Sequence, residues 1–362
     1  MDERECVIAL NLVDTIGGER LASLIERFGS AREALLASEA QLRTVEGIGP
    51  VTARKIAAVR DGKLLREELR TASKLGVKIV TSSDPGYPER LHTINHPPPV
   101  LYVKGTLLPS DAFSLAIVGS RRGSHYGRRA ARLLSSEAAA AGLTVVSGMA
   151  RGIDSVAHHA ALERGGRTIA VLGCGIDVVY PPENVKLAQE IAGNGALVSE
   201  RSLGTRPLAR NFPARNRIIS GLSLGVVVVE AGETSGSLIT AEFAADQGRE
   251  VFAVPGDIES PLSRGTHRLI KEGARLVEGI ADVLDELGIE VPRGDHRGTM
   301  EGESSLSARE RRVLAVMGFS PVSADDIVYE TGLAPQDVAV ALGSLELRGI
   351  VERSLDGYAR RS

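Results

Sequence analysis

The chain has no tryptophan, only six phenylalanines and six tyrosines, and only two cysteines among 362 residues. Two cysteines, Cys6 and Cys174, are too few for a disulfide framework and lack metal-ligand spacing, which excludes the disulfide-stapled secreted class and the zinc-finger class. A reducing interior suits such a chain. Cys174, between Gly173 and Gly175, reads as a buried packing thiol. No apolar run is long enough to span a bilayer, and the opening Asp2-Glu3-Arg4-Glu5 is unlike the basic-then-apolar start of a secretory leader. The expected setting is the cytoplasm, with no membrane insertion. Apolar content of 43% and charged content of 25% exclude global disorder and a coiled coil, and the length predicts two or three folded units.

A large net charge is also missing, since the formal value is -3. What is present is placement: Ser120 to Arg132 and Arg201 to Arg217 together hold ten arginines and no acidic residue. Of 43 Lys+Arg, 33 then remain against 46 Asp+Glu, so the rest of the chain stands at -13. Basic charge this local on an acidic chain is an electrostatic footprint for a polyanion. Tyr126 lies in one stretch and Phe212 in the other, and arginine beside an aromatic adds stacked bases to phosphates as a target.

Apolar residues recur at helical spacing from Glu5 to about Leu69, punctuated by glycine pairs, and predict a small all-helical unit over 1–70. Two β-type runs follow, Val77 to Val80 and Val100 to Val103. From Phe113 onward short apolar runs alternate with amphipathic helices, the pattern of a mostly parallel α/β sheet covered on both faces. Its expected strands are Leu115 to Val118, Leu143 to Val146, Thr168 to Leu172, Ala196 to Ser199, Gly225 to Glu230 and Glu250 to Val254, in a unit over 71–290. Such sheets bind ligands beyond their carboxyl strand ends, where both arginine-bearing loops fall. Residues 291–305 read as a linker, and 306–362 as a winged helix whose hairpin turns at Asp356-Gly357.

Gly119-Ser120-Arg121-Arg122-Gly123 joins a predicted strand to a predicted helix, so its amides and the helix start favour a phosphate. It lacks the G-x-G-x-x-G spacing, which argues against NAD, and no cofactor is expected. The plain alternative is a tight turn with solvated arginines. Ser147 to Asp154 repeats the strand, turn and helix pattern, with Asp154 and Ser155 suited to capping and His158 and His159 read as structural. Phe212-Pro213-Ala214-Arg215-Asn216-Arg217 is expected just ahead of a helix, where Phe212 is either a ligand contact or a core anchor. Arg215 and Arg217 cannot share a helical face, so one meets ligand while the other supports the sheet or a partner. Ser235-Gly236-Ser237, at a third helix start, are further candidates for phosphate contact. Glu230 and Glu233 have no His, Cys or metal cluster placed to complete a catalytic set, and neither a catalytic nor a metal site is expected.

At the ends of the chain, Val45 to Ala53 has the glycine turn of a helix-hairpin-helix element, whose amides can meet DNA phosphates. The expected recognition helix from Pro335 to Arg348 offers Gln336, Asp337, Ser344 and Glu346 but only Arg348 as a cation. Poor equipment for a major groove, it favours a protein-contact or regulatory role.

Gly119-Ser120-Arg121, Ser147 to Asp154 and Phe212 to Arg217 together resemble the DNA-processing protein A (DprA, Smf) family. Tyr87-Pro88, Pro99 to Gly105 and Ser235 to Thr240 extend the likeness over roughly Ala72 to Val277. The resemblance implies a Rossmann-like domain flanked by a helix-hairpin-helix or SAM-like unit and a winged helix. It further implies a homodimer that binds single-stranded DNA and loads RecA onto incoming strands in natural transformation. By the same likeness Gly119, Ser120 and Arg121 hold phosphates and Phe212 stacks on or displaces a base. Ser147 and Gly148 line the same cleft, with Arg215 and Asn216 nearby and Arg210 as a further basic contact. A different class, the lysine-decarboxylase-like nucleoside-monophosphate phosphoribohydrolases, shares this kind of fold. Those enzymes carry Gly-Thr-x-x-Glu where this chain has Gly236-Ser237-Leu238-Ile239-Thr240, without the carboxylate.

Overall fold

The structure, a computed structural model, describes residues 1–289, 306–318, 321–354 and 357–360. The expected linker over 291–305 and Asp356 of the expected turn lie outside the described residues. The chain divides into two compact units, Met1–Val291 and Pro292–Ser362.

Six helices open the first unit: α1 (Glu3–Asn11), α2 (Gly18–Phe28), α3 (Ala31–Leu36), α4 (Glu39–Leu42), α5 (Pro50–Ala58) and α6 (Lys63–Lys74). Local chemistry fixes their starts. Asp2 accepts from the Glu5 amide while the Glu5 carboxylate accepts from the Asp2 amide, a capping box that Ser38 and Gln41 repeat at α4. Pro50 begins α5, where its missing N–H removes a donor that would have had no partner. Ile8, Leu10, Leu24, Leu35 and Ile56 are buried in the same apolar cluster as Val100, Tyr102, Leu172 and Ile176. The helical layer therefore shares its core with one face of the sheet.

The sheet begins with β1 (Val77–Thr81), β2 (Val100–Gly105) and β3 (Ser114–Val118). Then come α7 (His125–Ala140), β4 (Thr144–Ser147), α8 (Ile153–Glu163), β5 (Thr168–Leu172), α9 (Val185–Gly193) and β6 (Gly195–Ser199). The second half holds α10 (Asn211–Leu222), β7 (Gly225–Val228), α11 (Gly236–Asp246) and β8 (Glu250–Ala253). It closes with α12 (Arg264–Lys271), β9 (Arg275–Leu276) and α13 (Ile280–Glu286). Every residue of β3, β4, β5, β6 and β7 is buried, as strands covered on both faces require.

Nine strands pair in the order β1-β2-β6-β5-β4-β3-β7-β8-β9, parallel from β6 to β9 and antiparallel at β1-β2 and β2-β6. Starting at β3 the chain winds outward through β4, β5 and β6, then returns along α10 to place β7 on the other side of β3. The winding direction reverses between β3 and β7, and such a switch point leaves a crevice beyond the carboxyl strand ends.

The expected strands match those observed to within about two residues, the usual uncertainty of strand ends. The two-residue β9 was not expected, because both of its residues are exposed and it leaves no apolar run. One expectation needs correction. Phe212 to Asn216 lie inside α10, which starts at Asn211, because Pro213 sits in the first turn where its lack of an N–H is harmless.

The second unit contains α14 (Ala308–Val316), α15 (Ala324–Thr331), α16 (Pro335–Leu347) and the antiparallel hairpin β10 (Val351–Ser354) and β11 (Gly357–Arg360). Val313, Ile327, Leu342, Leu345 and Val351 form its own core, and Val322 bridges to Tyr358. It is a winged helix.

Candidate nucleic-acid interface

Two loops flank the switch point. The one after β3 carries Gly119 to Gly123 and ends at Ser124, whose hydroxyl accepts from the Gly127 amide and caps α7. The one after β7 ends at Ser235, which caps α11 by accepting from the Ser237 amide. Neither helix has an acidic residue in its first turn. The amide end of α11 leaves positive potential at this end of the sheet, whereas the start of α7 carries the buried Glu230 carboxylate on the Ser124 amide and hydroxyl.

A cleft of about 670 Å³ opens here, lined by Gly119, Ser120, Arg121 and Arg122 on one side and by Gly232, Thr234, Ser235, Gly236 and Ser237 on the other. The start of α10 supplies Phe212, Arg215 and Asn216. Phe212 is half-buried, close enough to Gly173 that a Cβ there would come within 2.9 Å of its ring. The Arg121 guanidinium lies 5.5 Å from the centre of the Phe212 ring, and Tyr180 lies 5.4 Å away at a tilt of 44°. An exposed cation on a half-exposed ring gives one surface that can meet a phosphate and a base.

Arg215 is different in kind. Only 4% exposed, it donates to the carbonyls of Gly148 and Val171 and to Asn216 Oδ1, so its guanidinium closes the carboxyl ends of β4 and β5. Burial pushes its pKa down to about 10, with Asp154 opposing the shift, and it stays charged at neutral pH. Gly148 is needed beneath it, because a Cβ would fall 2.6 Å from Arg215 Nη2. Asp154 holds the same turn by accepting from the Gly148 and Ala150 amides, and burial raises its pKa. Asn216 ties α10 to α11 by donating to the Gly236 carbonyl at 3.1 Å.

Nine of the twelve residues singled out in the sequence therefore line one cleft: Gly119, Ser120, Arg121, Phe212, Arg215, Asn216, Ser235, Gly236 and Ser237. Gly148 borders a small adjoining cavity with Arg121 and Phe212. Ser147 is fully buried, its hydroxyl spent on the Ile117 carbonyl, and Arg210 is exposed just before α10. Arg217 supports the fold, bonded to Glu200 at 2.7 Å and to the His96 carbonyl. Tyr126 does not line the cleft: its hydroxyl donates to the Pro255 carbonyl, and it borders a separate groove with Arg129 and Leu133. Arg132 pairs with Glu163, so the first basic stretch is only partly aimed at the cleft. The cause is α7, which turns successive arginines to different sides.

Glu230 has another task than proton transfer. Buried, it accepts from the amide and hydroxyl of Ser124 at the start of α7. His158 is buried and hydrogen-bonded to Thr168, its pKa pushed down to about 3 by burial. Burial likewise pushes the Cys174 thiol up to about 11. Asp154 does not cap α8, whose N-cap is Gly152, but braces the preceding turn.

Lining residues that the sequence did not single out include Tyr180, Pro207 and Leu262. Tyr180 had a usable signal: a rare aromatic directly ahead of Pro181 and Pro182, in a loop following a strand.

The fold and this cleft define a Rossmann-like α/β protein carrying a winged helix. A family model described as DNA recombination-mediator protein A matches residues 78–288, and one described as the DprA winged helix domain matches residues 299–357. The chain is 43% identical over 281 residues to protein Smf of Escherichia coli, covering 76% of this chain and 75% of that one. It is 47% identical over 207 residues to DNA processing protein DprA of Streptococcus pneumoniae, covering 56% and 72%. The X-ray structure of the Streptococcus pneumoniae protein superposes with a TM-score of 0.69 at 37% identity, covering 78% of this chain and 97% of that one. A structure of the Helicobacter pylori protein, whose subject is its single-stranded DNA binding mode, superposes with a TM-score of 0.54 at 31% identity over 59% and 97%. The chain belongs to the DprA family of DNA recombination mediators.

Proposed function

We propose that this protein binds single-stranded DNA in the switch-point cleft, protects the strand and loads RecA onto it in natural transformation, acting as a homodimer through the Rossmann-like unit. The observation that carries the reading is Arg121 lying over Phe212 at the mouth of a cleft built from glycine-rich loops. Arg121 takes the backbone phosphates beside the Gly119 position, while the Ser120 amide, expected to join them, is spent on the Glu230 carbonyl at 2.8 Å and holds the loop; Phe212 takes the face of a base. Ser235, Gly236 and Ser237 offer a second phosphate position across the cleft. Gly148, Arg215 and Asn216 keep the walls in place, and Arg210 adds charge at the rim.

The protein acts by binding rather than by breaking bonds. Thr240 stands where the phosphoribohydrolases carry a glutamate, and Glu230 is engaged in holding α7. Stacking and phosphate contact tolerate any base, so little sequence preference is expected. The test compares fluorescence anisotropy of the full chain with a labelled oligothymidylate and with duplex DNA of the same length. Tight binding of the single strand and weak binding of the duplex is the expected result. Equal affinity for both, or release of free base from nucleoside monophosphates, would overturn it. RecA loading is read separately, as faster RecA assembly on a strand coated with single-strand-binding protein.

A further inference from the structure

The segment from Glu200 to Arg210 links β6 to α10 and runs past the cleft, and its first half is pinned from two sides. The Leu203 amide donates to Glu68 Oε1 of α6 at 2.9 Å, and the Leu203 side chain packs on the apolar cluster that holds the N-terminal helices. The Gly204 amide donates to both carboxylate oxygens of Asp177, at 2.9 and 3.0 Å, and Gly204 has the left-handed φ of 71° that glycine permits. The Thr205 carbonyl accepts from the Gly175 amide at 2.9 Å. Burial raises the pKa of Glu68, a cost a surface glutamate would not carry, and the Leu203 amide offsets part of it.

Beyond the pinned turn the segment changes character. Pro207 and Ala209 line the cleft, while Arg206 and Arg210 are exposed and have no ion-pair partner among the described residues. A guanidinium on an unanchored loop would spend conformational entropy on each phosphate contact, and a pinned base removes part of that cost.

We infer that Glu68 and Asp177 are positioning residues for strand binding. They fix the strap that presents Arg206 and Arg210 at the cleft, so the N-terminal helical layer acts on the strand through this strap. The inference rests on the single-strand reading of the cleft. It also gives the helical layer a role that needs no DNA contact at its own glycine hairpin.

The test measures affinity of the full chain for labelled oligothymidylate across a salt series. Replacing Arg206 and Arg210 together by Ala should weaken binding about tenfold and shallow the salt slope by ~1.4, at ~0.7 per lost phosphate contact. Glu68→Ala should weaken binding several-fold and shallow the slope, whereas Glu68→Gln, which keeps an acceptor for the Leu203 amide, should restore both. Combining Glu68→Ala with the two arginine changes should add nothing to the arginine loss. Should Glu68→Ala fail to fold, Asp177→Ala carries the same comparison from the other anchor, with Asp177→Asn, which keeps an acceptor for the Gly204 amide, as its restoring control. Full additivity, or Glu68→Ala binding with wild-type affinity and slope, overturns the inference. Arg121→Ala separates the two failures. If it weakens binding while the Glu68 and Asp177 variants do not, the strap inference is wrong and the cleft reading survives. If Arg121→Ala binds as wild type, the cleft reading fails and this inference with it.

Discussion

The switch-point cleft and helix α16 are both surfaces that a nucleic acid could reach from solvent, yet their chemistry differs. In the cleft, Arg121 and Arg122 have no ion-pair partner among the described residues, and Arg121 lies on an aromatic ring. On α16 the side chains aimed outward include Val340 at 71% and Leu347 at 91% exposure. Asp337 there pairs with Arg309, and the Arg348 guanidinium just past the helix lies 4.0 Å from Glu310. The cleft lining holds Arg121, Arg122 and Arg215, and the α16 segment has Arg348 alone, but number is the lesser difference. What separates them is whether the cation is already neutralised inside the protein, and only the cleft keeps its own available.

The buried cation should give the biggest change. Arg215→Met leaves the Gly148 and Val171 carbonyls without their donor and should cost about 3 kcal/mol or more of stability, read as a lowered melting temperature. Gly148→Ala, which drives a Cβ into the same guanidinium, should act in the same direction. Next in size is Arg121→Ala, expected to cost about 1.5–3 kcal/mol of affinity for a single strand by loss of a charged contact while the melting temperature holds. Phe212→Ala should cost about 1–3 kcal/mol of affinity with the salt slope nearly unchanged, because a ring neutralises no phosphate. A slope loss equal to that of Arg121→Ala would undo this division between charge and stacking.

A smaller effect belongs to the winged helix. Glu310 is held down to about 2 by hydrogen bonds from Ser344 and Ser307, so its folded pKa lies below the ordinary glutamate value of 4.5. Its contribution to stability is complete above that ordinary value and is lost as pH falls from there toward about 2. A melt of the winged-helix unit monitored through this window should fall more steeply for wild type than for Glu310→Gln. Least of all should come from Arg348→Ala, with single-strand affinity changed by less than about twofold because that cation lies beside Glu310. A large loss there would make α16 a binding surface after all.

Much of this was legible in the residues. Apolar runs such as Leu115 to Val118 and Thr168 to Leu172 lie in fully buried strands, where sequence and burial carry one signal. Loops that end such strands at helix starts could be read as ligand sites without coordinates, which is why Gly119 to Arg121 and Ser235 to Ser237 emerge together in one cleft. Pairwise fates were not legible. Arg215 and Arg217 are two residues apart, and nothing local says that one closes strand ends while the other meets Glu200. Glu68 and Leu203 are separated by 135 positions, and only the shared core of helices and sheet brings them together. Tyr126 misled because its neighbours are basic, whereas α7 turns it toward Pro255.

The most direct measurement is the salt dependence of single-strand affinity for wild type and Arg121→Ala side by side. Plotted as log K against log salt concentration, the wild-type line should fall steeply, and the Arg121→Ala line should be shallower by ~0.7 for one lost phosphate contact. A flat wild-type line, or two steep lines of equal slope, would contradict a phosphate grip by Arg121 at the switch point.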